Sequence, residues 1–290
     1  MFYHEPKLQY KVKVDKPNPQ FARMLQQAIG GIEGEIRVCL QYLFQAWGSR
    51  GPNKYRDMLL DTGTEEMSHI EILATAVAKN LEGAPADAQE KLADENPMVK
   101  AIMGGMNPQH ILSSGLSAMP ADSNGNPFNG SWVVGTGNIA ADMHANVTAE
   151  SGGRTLDARL WEITDDPGMK DMLSFLIARD TMHQNQWLAV LEEMGYKESH
   201  PIPDSFPQDR ENKDFNYNFI STNIHKNSEA KGRWTSGDSI DGKGTFSFED
   251  GKPHGEIPDL GIADPKTYAQ KSQMGKKSKS VVDKVKEEIT

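Results

Sequence analysis

The sequence predicts an all-α protein: a four-helix bundle with a long crossover connection and an extended, mostly irregular C-terminal tail that contains short strands. Three observations carry this prediction. Four segments repeat their apolar residues every three or four positions, which is the period of one helix face. Each of these segments places an acidic residue on that face, and turn-forming residues concentrate between the second and third segments and after residue 195.

The first segment, from Asn18 to Ser49, has the clearest period, and we predict one helix there. Its buried stripe is apolar or aromatic apart from one acid: Leu25, Ala28, Ile32, Glu35, Cys39, Tyr42 and Ala46. A buried carboxylate without a partner takes up a proton or binds a cation, because an isolated charge is costly to remove from water. Taken alone, Glu35 is better explained as a core residue that is hydrogen-bonded to a polar neighbour.

The second helix is predicted between Asn53 and Leu81, with a seam of Met58, Thr62, Glu66, His69, Leu73 and Ala76. Glu66 and His69 are three residues apart, so one helix face presents an oxygen and a nitrogen together. Glu65 lies about 100° to one side of this seam. A histidine on an apolar face is more often a core residue than a ligand, and the motif alone is a weak signal.

The third helix is predicted from Gly137 to Thr164, with Met143, Val147, Glu150, Arg154 and Trp161 on one side. Gly152-Gly153 costs roughly 1 kcal/mol per glycine relative to alanine. This pair predicts a close approach by a neighbouring helix or subunit.

The fourth helix is predicted to begin after Asp166, which can cap it, with Pro167 in the first turn. It runs to Met194 and stops at Gly195. Its seam combines an acid and an imidazole with apolar residues: Met172, Leu176, Asp180, His183, Trp187, Val190 and Met194.

Taken together, the four seams predict a dinuclear metal centre. Two carboxylate-x-x-His pairs and a lone glutamate on each of two further helices form the ligand pattern of such centres in four-helix bundles. Shared cations would neutralise all the buried carboxylates at once, whereas the alternative needs a separate partner for each. Mixed carboxylate and imidazole ligands suit manganese or iron and do not choose between them.

The remaining segments define the organisation. Residues 1–195 are predicted to form the bundle domain. Within it, residues 1–17 form an N-terminal arm, and residues 82–132 form the one long crossover that is typical of ferritin-like folds. The crossover is predicted to contain a short helix from Pro97 to Gly104 and a turn-rich loop from Asp122 to Pro127. Residues 196–290 are expected to wrap the bundle or a neighbouring subunit, with a strand near Gly244–Phe248 and a helix from Lys277 to Ile289.

Composition excludes several classes of partner. The net charge is −10 and no basic stripe is present, so neither nucleic acid nor an anionic membrane is an expected partner. No apolar run approaches the roughly 20 residues of a membrane-spanning helix. A single cysteine, Cys39, and a start without the features of a signal peptide lead us to expect a cytoplasmic protein.

Several long strings resemble the non-haem manganese catalases. They are Met1-Phe2 with Leu8-Gln9-Tyr10, Gly30-Gly31 with Gly34-Glu35, Gln41–Gln45, Glu65–Glu71, Ala149-Glu150, Thr164–Gly168, Asp171–Asp180, Gly232-Arg233-Trp234 and Asp241–Gly244. This resemblance covers nearly the whole chain. It implies disproportionation of hydrogen peroxide by two manganese ions per subunit, and a homohexamer whose tails contact neighbouring subunits.

The resemblance also implies residue roles. Glu35 and His69 would hold one manganese, Glu150 and His183 the other, and Glu66 would bridge. Asp180 corresponds to a proton carrier near the metals, and Tyr42 to an outer tyrosine within hydrogen-bond reach of the first glutamate, Glu35. Some members have an arginine before the third-helix glutamate; here this residue is Ala149, and Arg154 one turn later is a candidate replacement.

Two further expectations concern a calcium site and the competing functions. Some family members bind calcium with an acidic pair that corresponds to Asp57 and Asp61, completed by oxygens from the C-terminal tail of a neighbouring subunit; Ser221 and Asn223 lie in the matching region of the tail. From spacing alone, this pair is better explained as an ordinary solvated one. The competing functions are a ferritin-like, iron-binding oxidase or storage protein and a catalase-like structural component of the spore coat.

Overall fold

The computed structural model describes residues 6–82, 105–195, 209, 212–221, 231–239 and 241–250. Its helices are α1 (Pro19–Gly30), α2 (Glu35–Gly48), α3 (Asn53–Asn80), α4 (Gln109–Leu112), α5 (Ile139–Ile163) and α6 (Pro167–Glu193). Helix α2 packs along α3 and α5 packs along α6, while α2 also meets α5 and α3 meets α6. This bundle confirms the predicted all-α, ferritin-like fold.

The prediction of one continuous helix from Asn18 to Ser49 is wrong. Helix α1 ends at Gly30 and α2 begins at Glu35, with a turn in which the Gly34 N–H donates to the Gly31 carbonyl at 3.0 Å. A side chain at Gly34 would lie 2.7 Å from the Ile29 carbonyl oxygen, so the fold of the chain here requires glycine. Ile32 is 44% exposed and does not belong to the buried stripe. Glu35 is therefore the first residue of its helix, not a mid-helix residue.

The other bundle helices lie where the periodicity predicts them. The Asn138 side chain caps α5 by accepting a hydrogen bond from the Ala141 N–H, and Asp166 Oδ1 caps α6 by accepting from Gly168 and Met169. Asp166 Oδ2 also accepts from the backbone N–H of Asp15 at 2.8 Å. The same carboxylate therefore starts α6 and holds the N-terminal arm against the bundle.

Two apolar clusters enclose the polar seam. One contains Leu25, Ile72, Leu73, Leu173 and Leu176, and the other contains Tyr42, Leu59, Met143 and Trp187. Along α3, Glu66 and His69 fall between Leu59 and Ile72; along α6, Asp180 and His183 fall between Leu176 and Trp187. The ionisable groups thus lie between two apolar clusters, where an unpaired charge is costly.

The crossover is anchored on α1. The fully buried Gln26 side chain donates to the Ala121 carbonyl at 2.7 Å and accepts from the Met119 N–H at 3.0 Å. The predicted loop from Asp122 to Pro127 is a tight turn in which Asp122 Oδ1 accepts from the backbone of Asn124 and Asn126. The helix predicted from Pro97 to Gly104 lies outside the described residues.

The described residues divide into two compact units. The first contains the bundle, and the second contains β1 (Asn218–Ser221) and β2 (Ser247–Asp250), which pair in parallel with Phe219 opposite Phe248. A strand near Gly244–Phe248 is thereby confirmed, starting three residues later than expected. The helix predicted at Lys277–Ile289 lies outside the described residues, and the division of the chain at residue 195 stays a prediction. None of the described helices is long and apolar enough to cross a membrane.

Candidate metal centre

Two triads of potential metal ligands meet in the middle of the bundle. One consists of Glu35, Glu66 and His69, and the other of Glu66, Glu150 and His183; in each, one ligand atom per residue lies within 4.8 Å of the others. All five side chains are buried, with Glu35 the most exposed at 8%. Because Glu66 belongs to both triads, the arrangement is one double site.

Glu66 lies between the two histidines. Its Oε2 is 2.7 Å from His69 Nδ1, and its Oε1 is 2.9 Å from His183 Nδ1. The outer carboxylates complete the set, with Glu35 Oε1 at 3.7 Å from His69 Nδ1 and Glu150 Oε1 at 3.4 Å from His183 Nδ1. The two imidazole rings are 5.8 Å apart and nearly parallel. Both Nδ1 atoms therefore face the same group of carboxylates.

The electrostatics show how strongly the cluster favours positive charge. Burial alone would lower the pKa of His69 and of His183, but the surrounding carboxylates raise them to about 9 and about 12. Burial opposes ionisation of Glu66, yet the two histidines lower its pKa to about 2. Burial and the nearby acids raise the pKa of Glu35 well above its usual value. Cations at this point would replace the protons of the histidines.

The residues fit a pair of cations. Within the part of the chain that the structure describes, Glu66 Oε1, both ring nitrogens of His69 and His183 Nδ1 are buried, and none of their close contacts has the geometry of a hydrogen bond. Buried polar atoms normally have partners, and atoms without them that converge from two helices are typical of ligands. Oxygen and imidazole donors suit manganese or iron.

Glu65, which the periodicity sets aside, lies against the opposite edges of the same histidines. Its Oε2 accepts from His183 Nε2 at 3.2 Å, and its Oε1 is 3.7 Å from His69 Nε2. Arg179 donates to both of its oxygens, at 2.7 and 3.1 Å. The sequence does indicate the contact with His69, because Glu65 precedes His69 by four residues and therefore lies one turn away on the same helix.

Tyr42 is fully buried and its hydroxyl donates a short hydrogen bond to Glu150. The expectation that it reaches the first glutamate, Glu35, is wrong. Tyr42 is two turns further along α2 than Glu35, so its ring extends across the bundle towards α5, against Trp187 at 4.8 Å. Burial and the Glu150 carboxylate raise its pKa well above the usual value, so it remains a proton donor.

Asp180 lies next to the triads but belongs to neither. It is 4% exposed, and burial together with Asp157 raises its pKa to about 9. Asp157, a second buried acid on α5, has a pKa raised to about 7 by burial. Asp157 was not among the predicted site residues, although it follows Glu150 by seven residues and therefore shares its helix face.

Gly152 and Gly153 allow the close approach that the sequence predicts. The approaching group is the turn between α1 and α2: a side chain at Gly153 would lie 3.4 Å from the Glu33 carbonyl oxygen and 3.9 Å from Asp180 Oδ2. Arg154 is exposed and donates to Thr181 Oγ1 at 3.2 Å, whereas Ala149 is buried. Arg154 therefore lies on the outer surface, where it joins α5 to α6 one residue from Asp180.

The residues expected for calcium are an acidic pair on α3 and two residues of the tail. Asp57 and Asp61 are both exposed on α3, Ser221 is buried at the end of β1 in the other unit, and Asn223 lies outside the described residues. The calcium site stays a prediction.

A four-helix bundle that buries two carboxylate and histidine triads around a shared glutamate defines a candidate dinuclear metalloprotein. Comparison with known proteins narrows this class. The family model for manganese-containing catalases matches residues 1–285, and the chain belongs to that family.

Relatives and solved structures agree with this assignment. The chain is 48% identical over 265 residues to a manganese catalase from Bacillus subtilis, covering 91% of this chain and 96% of the relative. It is 37% identical over 268 residues to a manganese catalase from Lactiplantibacillus plantarum, covering 92% and 98%. The crystal structure of KatB, a manganese catalase from Anabaena PCC7120, shares the fold with a TM-score of 0.67 at 23% identity, covering 87% of this chain and all of KatB.

Proposed function

We propose that this protein disproportionates hydrogen peroxide to water and oxygen at a pair of manganese ions. Membership of the manganese-containing catalase family supports the reaction and the metal. The observation that carries the proposal is the position of Glu66, whose two oxygens lie 2.7 and 2.9 Å from the Nδ1 atoms of two different histidines. One carboxylate placed in this way can bridge two metal ions.

In this proposal, Glu35 and His69 would hold one ion, Glu150 and His183 would hold the other, and both ions would share Glu66. When bound, the two manganese ions supply a two-electron couple that cycles between Mn(II)/Mn(II) and Mn(III)/Mn(III). Apolar clusters enclose the seam on both sides, which suits a substrate as small as peroxide. Glu35, as the first residue of α2, is carried by the turn at Gly31–Gly34.

Proton movement is assigned to Asp180. Reduction of one peroxide to two waters consumes two protons, and oxidation of a second peroxide to oxygen releases two. An acid near the reacting atoms can hold a proton between these steps, and Asp180, with its pKa raised to about 9, is protonated at neutral pH. Tyr42 has a different role, because its hydroxyl donates to Glu150 and orients that carboxylate.

The experiment that tests this function combines metal analysis with an oxygen-evolution assay. Protein purified without added metal is analysed for manganese and iron and then mixed with hydrogen peroxide. We expect about two manganese ions per chain and oxygen release at half the rate of peroxide loss. Iron in place of manganese, without oxygen release, would instead support the ferritin-like oxidase or storage function.

Assembly, calcium and compartment complete the proposal. We propose a homohexamer whose C-terminal tails contact neighbouring subunits; deleting the tail from Asn212 should then break the assembly, as measured by light scattering.

Calcium held by Asp57 and Asp61 should raise thermal stability, and Asp57→Ala should abolish this effect. A cytoplasmic location is consistent with the single, buried Cys39, whose pKa is raised to about 12 by burial.

A further inference from the structure

We propose that Glu65 is a positioning residue that holds both metal-binding histidines from outside the centre. This inference rests on the proposed manganese function and extends it. Glu65 is not a candidate ligand, because neither triad includes it and its carboxylate faces the Nε2 atoms, on the far side of both rings from the Nδ1 atoms.

The geometry places each imidazole between two carboxylates. For His183, Nε2 lies 3.2 Å from Glu65 Oε2 while Nδ1 lies 2.9 Å from Glu66 Oε1. For His69, Nδ1 lies 2.7 Å from Glu66 Oε2, while Nε2 lies 3.7 Å from Glu65 Oε1, a longer, electrostatic contact rather than a hydrogen bond. The consecutive residues Glu65 and Glu66 thus face opposite edges of the same two rings. Glu65 lies outside the centre, at the Nε2 edges, and Glu66 lies in the centre, at the Nδ1 edges.

The Glu65 carboxylate is itself fixed in place. Arg179 on α6 donates from Nε and Nη2 to its two oxygens, at 2.7 and 3.1 Å, which is the fork geometry of a strong ion pair. The Gln9 side chain, from the N-terminal arm, donates to Oε1 at 2.8 Å. The Glu65 side chain is 19% exposed, so this anchor is mostly shielded from solvent.

This arrangement determines which nitrogen of each histidine is free for a metal. A carboxylate at Nε2 favours the hydrogen on that nitrogen and leaves the Nδ1 lone pair directed into the centre. Glu65 accepts a hydrogen bond from the His183 ring and attracts the Nε2 edge of the His69 ring at 3.7 Å, so one carboxylate acts on the imidazoles of both metal positions. The positions are therefore linked on the outer side by Glu65 as well as on the inner side by Glu66.

The test replaces Glu65 by glutamine, which keeps its shape but removes its charge and offers a donor to one nitrogen. The matched control is Glu71→Gln, an exposed glutamate on the same helix. Manganese affinity is measured by competition with a chelator, and the electron paramagnetic resonance spectrum of the Mn(II)-loaded protein reports ligand geometry. Loss of a partner of this kind typically costs 10–100-fold in metal affinity. We expect that loss and an altered spectrum for Glu65→Gln, and neither for the control.

A second variant separates positioning from simple stability. Arg179→Gln removes the anchor but leaves Glu65 beside the histidines, so it should weaken manganese binding less than Glu65→Gln does. Equal losses in both variants would show that only the ion pair matters, and would overturn the proposal. If Glu65→Gln fails to fold, the variants Arg179→Gln and Gln9→Ala test the proposal instead. Wild-type manganese affinity and spectrum in both variants would overturn the proposal, and a moderate loss of affinity in both would support it.

The wild-type protein separates this inference from the proposed function. A wild-type protein that binds no manganese would overturn both. Suppose instead that the wild-type protein binds manganese and releases oxygen, and that Glu65→Gln has the same manganese affinity and spectrum. That result would overturn the role of Glu65 and leave the proposed function standing.

Discussion

Loading manganese into this protein should release at least two protons per dinuclear site near pH 7, one from each histidine. The pKa values of His69 and His183 are raised to about 9 and about 12, so both rings carry a proton at pH 7. Each ring must lose that proton to offer its Nδ1 lone pair to a cation, so binding competes with protonation. The apparent affinity should therefore rise with pH, and the two histidines alone contribute about two powers of ten per pH unit below pH 9.

The assay is calorimetric titration of chelator-treated protein with Mn(II), in two buffers that differ in their heat of ionisation. The difference between the measured heats gives the number of protons released. Asp180 holds a further proton, since its pKa is raised to about 9, so Asp180→Asn reveals any contribution from that residue. Release close to zero at pH 7 would refute the reasoning, because it would mean that the carboxylates do not keep the histidines protonated.

Three substitutions test the individual roles. Glu66→Ala should abolish tight manganese binding while the helical circular dichroism remains; full manganese occupancy in this variant would exclude Glu66 as a ligand. Asp180→Asn should retain its manganese and lose turnover, and loss of the metal would instead make Asp180 a ligand. Tyr42→Phe keeps the packing but removes a donor to Glu150, a bond worth about 1.5–3 kcal/mol, so manganese affinity should fall about tenfold or more, measured by chelator competition.

Periodicity predicted the bundle and the grouping of its ligands because both depend on which face of a helix a residue occupies. Helices α3, α5 and α6 lie within a few residues of the expected bounds. Glu66, His69, Glu150 and His183 meet because each is the polar exception on a buried stripe, and four such stripes must face one another in a bundle.

Other features depend on information that periodicity lacks. The break between α1 and α2 was missed because the stripe continues in phase across Gly31–Gly34, so face membership says nothing about continuity. Glu65 was missed because its contacts depend on its side chain reaching around to the outer edges of the rings. The partner of Tyr42 was misassigned for a related reason: a residue two turns from Glu35 has its nearest carboxylate on another helix.

Two glycines with different surroundings should respond oppositely to alanine. At Gly30, an added side-chain carbon would lie 2.4–2.6 Å from backbone atoms of Ala121, which cannot move without disturbing the hydrogen bonds of Gln26. Such overpacking costs about 1–3 kcal/mol. At Gly153, the carbon would have ordinary contacts at 3.4 and 3.9 Å, and alanine favours a helix over glycine by about 1 kcal/mol.

Gly30→Ala should therefore lower the urea midpoint of unfolding, and Gly153→Ala should raise it, with manganese content matched between the proteins. A stable Gly30→Ala variant would show that the crossover does not press against the end of α1. In the structure, the carbon added at Gly153 would lie 3.4 Å from the Glu33 carbonyl oxygen. A destabilised Gly153→Ala variant would show that this oxygen, in the turn before Glu35, lies closer to α5 and that the two atoms clash. Because that turn carries Glu35, the same variant also tests how the first triad is held beside α5.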